Sequence, residues 1–503
     1  MRKQLFVIGI GLLLISLGFN YFLKTAFLFT AVIILLMIVG WYNTIQKKHT
    51  ILRNFPVLGY FRYLFESISP EIQQYFIERS TDGKPFSRNQ RSLVYQRAKN
   101  IDSSTPFGTQ LDLNHNNYEG IKHSIFPAKV NEELPRVIVG GPDCRQPYSA
   151  SLFNVSAMSF GSLSENAVRA LNIGAKKGNF YQNTGEGGLT EYHLQGGDIV
   201  WQIGTGYFGC RNSEGNFDAE KFAEKANFSS VKMIEIKLSQ GAKPGHGGVL
   251  PAAKNTEQIA RIRGVIPHTM ILSPPNHSAF SDARGLVHFI KLLRELSNGK
   301  PIGFKLCIGN TAEFEAICHE MISEDCYPDF ITVDGAEGGT GAAPLEFSDG
   351  VGMPFEPALI FVNKTLVDLN IRSKIRVIGS GKIISGYSIL HAIALGADMC
   401  NSARGFMFSL GCIQALRCHN NQCPTGVATQ DKMLMKGLVV TDKSERVYHF
   451  HKNTLHAANE LLAAAGKTCF ADVDINIFMR GDEFSNLSDS YFPDNLTSVT
   501  RQR

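Results

Sequence analysis

Charge is sparse and undirected in this chain. Of its 503 residues 19% are charged and the formal net charge is +5, too small and too dispersed for the basic footprint that a nucleic-acid backbone requires. Paired cysteines are lacking too. Seven of the ten (Cys144, Cys210, Cys307, Cys318, Cys326, Cys400 and Cys469) are scattered, which excludes a secreted disulfide framework and points to a reducing, cytoplasmic setting for the main body. No Gly-x-Gly-x-x-Gly fingerprint follows an early strand in a Rossmann-type unit, so a dinucleotide is disfavoured and no NADPH-binding domain is expected.

Two long apolar runs are present at the N-terminus. Leu5 to Leu23 is almost continuously apolar, Lys24 and Thr25 interrupt, and Ala26 to Tyr42 is apolar again. Each approaches the roughly 20 residues of a membrane-spanning helix, and a short turn between them makes a hairpin. Arg2 and Lys3 before the first run and Lys47, Lys48 and Arg53 after the second place both ends, and all that follows, in the cytoplasm. The alternative is a cleaved signal peptide made of the first run alone. It lacks a small-residue cleavage site, and the second run would still anchor the chain.

The expected organisation is a transmembrane hairpin over residues 1–45, a mainly helical pre-barrel region over 46–142, a barrel over 143–470 and a polar tail over 471–503. After Pro147 short β-rich runs alternate with glycine-rich loops and helical segments. Eight strands are predicted, at Ser151–Met158, Asn179–Asn183, Val231–Lys237, Met270–Leu272, Ile302–Cys307, Phe330–Val333, Ile375–Ile378 and Met399–Asn401. Eight βα units suit an α/β fold closed as a (β/α)8 TIM barrel, whose site gathers at the C-terminal ends of the strands. The glycines and polar residues cluster there, as in Thr184-Gly-Glu-Gly-Gly188, Gln240-Gly-Ala-Lys-Pro-Gly245 and Asp334-Gly-Ala-Glu-Gly-Gly-Thr-Gly341.

Two of these loops bear on a cofactor. Gly379-Ser-Gly381 and Ser402-Ala-Arg-Gly405 follow the seventh and eighth predicted strands, where barrels bind phosphate through backbone N–H groups. FMN fits better than a dinucleotide. Lys237, Lys243 and Lys305 lie on or beside apolar strands, where a lysine is costly unless it meets a ligand or counter-charge, or reaches the rim. They suit an anionic substrate or the electron-rich edge of a reduced flavin. Glu186, framed by glycines, is a general base or a loop carboxylate.

Cys412, Cys418 and Cys423 stand in a C-x5-C-x4-C run that closes on Pro424. Soft thiolates select iron–sulfur, zinc or copper(I), and a terminal Cys-Pro suits an iron–sulfur cluster. Three cysteines are enough for a three-iron cluster, whereas a four-iron cluster or structural zinc needs a fourth ligand, with Cys400 or His419 nearest. Unligated core cysteines are the remaining alternative.

Ala157-Met-Ser-Phe-Gly-Ser162, Asn183-Thr-Gly-Glu-Gly-Gly188, Ile236-Lys-Leu-Ser-Gln-Gly-Ala-Lys-Pro-Gly245, Gly338-Gly-Thr-Gly-Ala342 and the run from Cys412 to Gln430 together resemble the FMN-binding synthase domain of glutamate synthase. The resemblance covers about Asp143 to Leu462. It implies a barrel holding FMN beside a [3Fe-4S] cluster on Cys412, Cys418 and Cys423, reducing the imine of 2-oxoglutarate and ammonia to L-glutamate. The electron donor would be ferredoxin or an NADPH-dependent flavoprotein.

By the same resemblance Lys237, Lys243 and Arg263 serve the flavin and 2-oxo-acid site, and Glu186 meets ammonia. Lys305 is a flavin-side lysine. Ser156, Ala157, Met158, Ser159, Gly339, Thr340, Gly341, Gly379, Ser380, Gly381, Ala403 and Arg404 fall in FMN-contacting loops. Three departures are expected to matter. The family's amidotransferase domain and C-terminal β-helix are not found, and Val249 stands where the large enzyme has a glutamine that helps bind the 2-oxo acid. A different small anionic substrate, or an electron-relay role at a membrane, are the alternatives.

Overall fold

A computed structural model of the chain describes residues 2–22, 26–102, 104, 106–115 and 118–480. The predicted turn at Lys24 and Thr25 and most of the polar tail lie outside the described residues. Two compact units divide at Pro85 and Phe86.

The first unit contains helices α1 (Arg2–Phe22), α2 (Ala26–Ile45), α3 (Thr50–Asn54) and α4 (Gly59–Ile72). Helices α1 and α2 are joined by polar contacts, Asn20 Nδ2 donating to Thr30 Oγ1 at 2.7 Å and Thr30 to Ser16 Oγ at 3.0 Å. The stretch Phe27–Ile45 is long and apolar enough to cross a membrane, whereas the apolar part of α1, Phe6–Tyr21, is shorter.

In the second unit, α5 (Arg88–Ala98) opens with a reciprocal capping box between Ser87 and Gln90. A closed barrel of eight parallel strands follows: β1 (Phe153–Val155), β2 (Tyr181–Asn183), β3 (Asp198–Ile203), β4 (Val231–Lys237), β5 (Ile302–Leu306), β6 (Phe330–Asp334), β7 (Arg376–Ser380) and β8 (Met399–Ser402). The ring closes where β8 pairs with β1, Asn401 lying opposite Asn154. The 25-residue helix Val440–Ala464 packs on Glu165–Gly178 so closely that a side chain at Gly174 would lie 2.5 Å from Val447.

The predicted count of eight strands holds, but one member was misplaced. Asp198–Ile203 is a full barrel strand that follows β2 through a loop holding a 3-10 turn and no α-helix, so the strand–helix rhythm is broken there. Conversely, Ile271–Leu272 pairs antiparallel with Val249–Leu250 in a two-stranded ribbon outside the barrel. That ribbon belongs to the long connection from β4 to β5. Val231–Lys237 is therefore the fourth strand, not the third, while the strands from Ile302 onward keep their expected order.

A literal Gly-x-Gly-x-x-Gly is nevertheless present. Gly204-Thr-Gly-Tyr-Phe-Gly209 directly follows β3, but turns follow it and no helix begins until Ala219. It therefore lacks the helix N-terminus that makes this pattern a pyrophosphate cradle.

Candidate active site

The C-terminal ends of β2 and β4 bring the first pair of predicted residues together. Glu186 lies in the Gly185–Gly187 turn after β2, and Lys237 is the last residue of β4; Lys237 Nζ meets Glu186 Oε1 at 2.8 Å. Glycine is required around the carboxylate. A Cβ on Gly204 would stand 2.7 Å from Glu186 Cβ and Oε2, and one on Gly248 2.7 Å from Oε1. The glycines of these loops thus make room for a charged side chain.

Lys243 and Arg263 complete the charged cluster. Lys243, only 3% exposed, donates to the Ala342 carbonyl at 2.8 Å. Arg263, 5% exposed, donates from Nη2 to Phe160 O at 2.9 Å, lies over the Phe208 ring at 5.0 Å, and leaves Nε without a partner. Among the described residues no carboxylate is within ion-pair distance of either. Burial pushes Lys243 down to about 8, with Lys237 acting in the same direction and Glu186 against it. Burial likewise lowers Arg263 to about 10. Burial alone would raise the Glu186 carboxyl, but Lys237, then Lys243 and Arg263, outweigh it and hold it below its ordinary value.

A second network fills the barrel interior. Lys305 on β5 pairs with Asp334 at 3.1 Å, and Asp334 also accepts from Gly241 N at 2.9 Å and Ser380 Oγ at 3.0 Å. Ser380 in turn meets Ser156 Oγ at 3.4 Å. Below them Glu235 accepts from Asn183, Gln202 and Thr332 at 2.9, 2.6 and 2.7 Å. Of these, only Lys305, Ser380 and Ser156 were expected from sequence. Glu235 and Gln202 lie inside largely apolar strands that give them no distinguishing pattern, and Asp334, though it opens the glycine-rich loop Asp334–Gly341, carries no sequence sign of its pairing with Lys305.

The other predicted cofactor residues surround this network. Gly379 and Gly381 admit the Phe355 ring, which would come within 2.9 and 2.3 Å of a Cβ at those positions. Arg404 donates to Glu337 O at 2.7 Å, lies 4.9 Å over the Phe86 ring and packs along Gly339. Ser159 Oγ meets Ser162 Oγ at 3.0 Å. Met158 is buried and Ala157 and Ala403 are half-buried, whereas Thr340 is exposed and Gly341 faces open space.

His277 was not anticipated. Its Nε2–H donates to the Lys237 carbonyl at 2.9 Å, and Nδ1 faces Tyr207 Oη at 3.0 Å. Burial pushes its value down to about 4, so the ring is neutral and fixes the backbone beneath Lys237. A lone histidine after Ser-Pro-Pro-Asn has no periodic signal that would reveal this. His277 also lines a cavity of about 420 Å³ together with Thr205, Phe208, Arg211 and Ser273.

The three-cysteine run folds as one loop. Cys412 and Cys418 are half-buried and Cys423 is buried. Gln414, Leu416 and Asn421 adopt left-handed φ values of 58°, 55° and 66°, a concentration of strain typical of ligand-holding loops. Cys423 is the most thiolate-prone: burial opposes ionisation, but Thr425 Oγ1 and the N–H groups of Ala428, Thr425 and Val427 outweigh it. N–H donors around sulfur suit iron–sulfur ligation. Among the described residues no group of three His, Cys, Asp or Glu side chains, these three cysteines included, is gathered as for a metal ion. Cys400 is a core residue of β8, raised by burial alone.

Lys254 clamps this loop to the barrel. Its fully enclosed Nζ donates to Ser162 O at 2.7 Å, Cys418 O at 3.1 Å and Ala428 O at 3.1 Å. Lys254→Met fills the space but leaves three carbonyls unmet. The expected cost is about 2 kcal/mol of stability, with faster labelling of Cys418 by a thiol reagent in a timed alkylation assay.

A family model described as "Conserved region in glutamate synthase" matches residues 96–468. The glutamate synthase large subunit-like protein YerD of Bacillus subtilis is 39% identical over 463 residues, covering 84% of this chain and 88% of that protein. The archaeal glutamate synthase [NADPH] of Methanocaldococcus jannaschii is 35% identical over 314 residues, covering 62% of this chain and 58% of its own length. Among solved structures, the flavin-binding domain of baker's yeast flavocytochrome b2 has a TM-score of 0.43 at 12% identity, covering 82% of this chain and 81% of that one; such a likeness carries no argument about chemistry. The match over most of the barrel, together with the relative that shares nearly its full length, places the chain in the glutamate synthase family.

Proposed function

We propose that the chain binds FMN in the barrel mouth and a [3Fe-4S] cluster on Cys412, Cys418 and Cys423, and reduces the imine of 2-oxoglutarate and ammonia to L-glutamate. Electrons come from a separate protein, ferredoxin or an NADPH-dependent flavoprotein. Helices α1 and α2 form a membrane hairpin with the barrel on the cytoplasmic side. The observation that carries the enzymatic reading is the pair Lys243 and Arg263, buried cations beside the Lys237–Glu186 bridge with no carboxylate within ion-pair distance among the described residues. A buried charge of that kind calls for an anionic ligand.

FMN, when bound, would supply hydride transfer and the cluster one-electron steps. Lys305 and Ser380, already oriented by Asp334, and the Gly379–Gly381 and Arg404 loops would hold the flavin. Lys237, Lys243 and Arg263 attract the 2-oxo acid. Glu186, kept ionised by these cations, is suited to hold an ammonium ion. Its low value makes it a weak base, so Lys243 Nζ, at about 8, is the better placed to accept a proton near neutral pH.

A pH dependence follows from that value. Above about pH 8 free Lys243 loses its charge, and an anion must bind together with a proton. The dissociation constant for 2-oxoglutarate, measured by calorimetry, should be flat below pH 8 and rise by at most about tenfold per pH unit above it. Lys243→Arg, which stays charged, should remove that step.

The test of the proposal is anaerobic. The whole chain in detergent is assayed for FMN and iron, reduced with dithionite, and given 2-oxoglutarate and ammonium while flavin absorbance is followed. Reoxidation requiring both, with glutamate formed, supports the synthase reaction; a flavin that stays reduced overturns it. A second reading rests on Val249, apolar and next to Gly248 at the Glu186 carboxylate. Reoxidation by another 2-oxo acid, but not by 2-oxoglutarate, would favour a different small anionic substrate.

A further inference from the structure

The first unit carries a large apolar face that none of its own helices covers. In α4, Tyr60, Phe61, Leu64, Phe65, Ile68 and Ile72 recur at helical spacing, and all are exposed, Phe61 by 54% and Phe65 by 59%. The face continues into the π-helical turn Gln73–Ile77, where Phe76 is 84% exposed. The other sides are polar or packed. Arg62 and Glu66 form an i,i+4 ion pair at 2.7 Å, Tyr63 meets the His49 ring edge-on at 6.0 Å, and Gly59 sits against Leu52.

The position of this helix says what its face meets. Its start is tied to the end of α2: buried Asn43 donates to Pro56 O at 2.6 Å and accepts from Tyr60 Oη at 3.3 Å. A helix fixed to the exit of a membrane-spanning segment begins at headgroup level. Around that junction stand Trp41 and Tyr42, the aromatic types enriched at membrane interfaces, with Lys47, Lys48 and Arg53 to meet anionic headgroups. A folded protein rarely leaves so many neighbouring aromatic side chains in water.

We propose that α4 and the following turn lie in the lipid interface, the Tyr60–Phe61–Leu64–Phe65–Ile68–Ile72 face buried among headgroups and upper acyl chains. The proposal rests on the membrane reading of α2 given above. It makes the attachment a three-helix one, with an interfacial helix continuing the hairpin.

The chain's two tryptophans make this measurable. Trp41 is exposed on α2, while Trp201 is wholly enclosed on β3 and serves as a silent internal control. The full chain is reconstituted in phosphatidylcholine–phosphatidylglycerol vesicles containing lipids brominated at shallow or deep acyl positions, which quench tryptophan on contact. In Trp41→Phe/Phe65→Trp, emission should fall with shallow bromines more than with deep ones. Trp41→Phe/Glu66→Trp, on the opposite face, should quench no more than Trp41→Phe alone. Phe76→Trp in the same background gives an independent reporter should the substitution at 65 impair folding. An unquenched Trp at both 65 and 76, with wild-type Trp41 quenched, would overturn the proposal while leaving the anchor intact. An unquenched wild-type Trp41 would overturn the membrane reading, and the interfacial helix with it.

Discussion

Asp334→Ala should cost the folded chain about 3–5 kcal/mol, the penalty for stranding a buried charge. Asp334 is the point where three barrel strands and a site loop are joined: it accepts from Lys305 of β5, Ser380 of β7 and the Gly241 N–H after β4, while itself ending β6. Burial pulls Lys305 down, but Asp334 and, more weakly, Glu235 outweigh it, so the lysine is held above its ordinary value. That stabilisation is fully present below the unfolded value and is lost as pH rises through the higher folded one. Alanine removes the principal counter-charge and leaves an ammonium with no exit to water.

The double variant tells cause from consequence. If the cost comes from the stranded lysine, Asp334→Ala/Lys305→Met should recover most of it, because methionine asks for no partner. If the cost comes from losing the Gly241 and Ser380 bonds, the double variant should be no more stable than the single one. Denaturant titration of the two variants beside the parent separates these outcomes, with m-values checked for equality.

The sequence signalled the residues at loop positions better than those within strands. Glu186, Lys237 and Lys243 were visible because charged side chains among glycines, or at the end of an apolar strand, break a pattern. Glu235 was not, since in a strand buried on both faces an acidic residue has nothing to alternate against, and Asp334, visible as the start of a glycine-rich loop, gave no sign that it pairs with Lys305. Likewise β3 escaped notice because it follows β2 without a helix, and the ribbon strand Ile271–Leu272 took its place because it is equally short and apolar. That misplacement had a local cost. Gly204, which makes room for Glu186, belongs to the loop after β3, and its role could not be seen until that strand was in place.

If the proposed reaction holds, Glu186→Gln should lower turnover with ammonium by roughly two to three orders of magnitude, comparable to removing one preorganised electrostatic group from an active site. Glutamine preserves size and can still accept from Lys237 Nζ, so flavin content should change little, while some stability is lost because three buried cations no longer have a counter-charge. What is lost is negative charge among three cations. The KM for ammonium should rise. The affinity for 2-oxoglutarate should hold or improve, because Lys237, Lys243 and Arg263 would no longer be partly neutralised.

A second consequence has a definite sign: Glu186 raises Lys243, so its removal moves the pH step of anion binding below about 8. Gly248→Ala tests the same arrangement without removing the charge. Its Cβ would stand 2.7 Å from Glu186 Oε1, forcing the carboxylate off Lys237. If the placement of the carboxylate matters, Gly248→Ala should reproduce the ammonium defect of Glu186→Gln while shifting the pH step less. If only the charge matters, Gly248→Ala should retain near-parental turnover, and Glu186 would act as a diffuse attractor with no defined contact to the nitrogen donor.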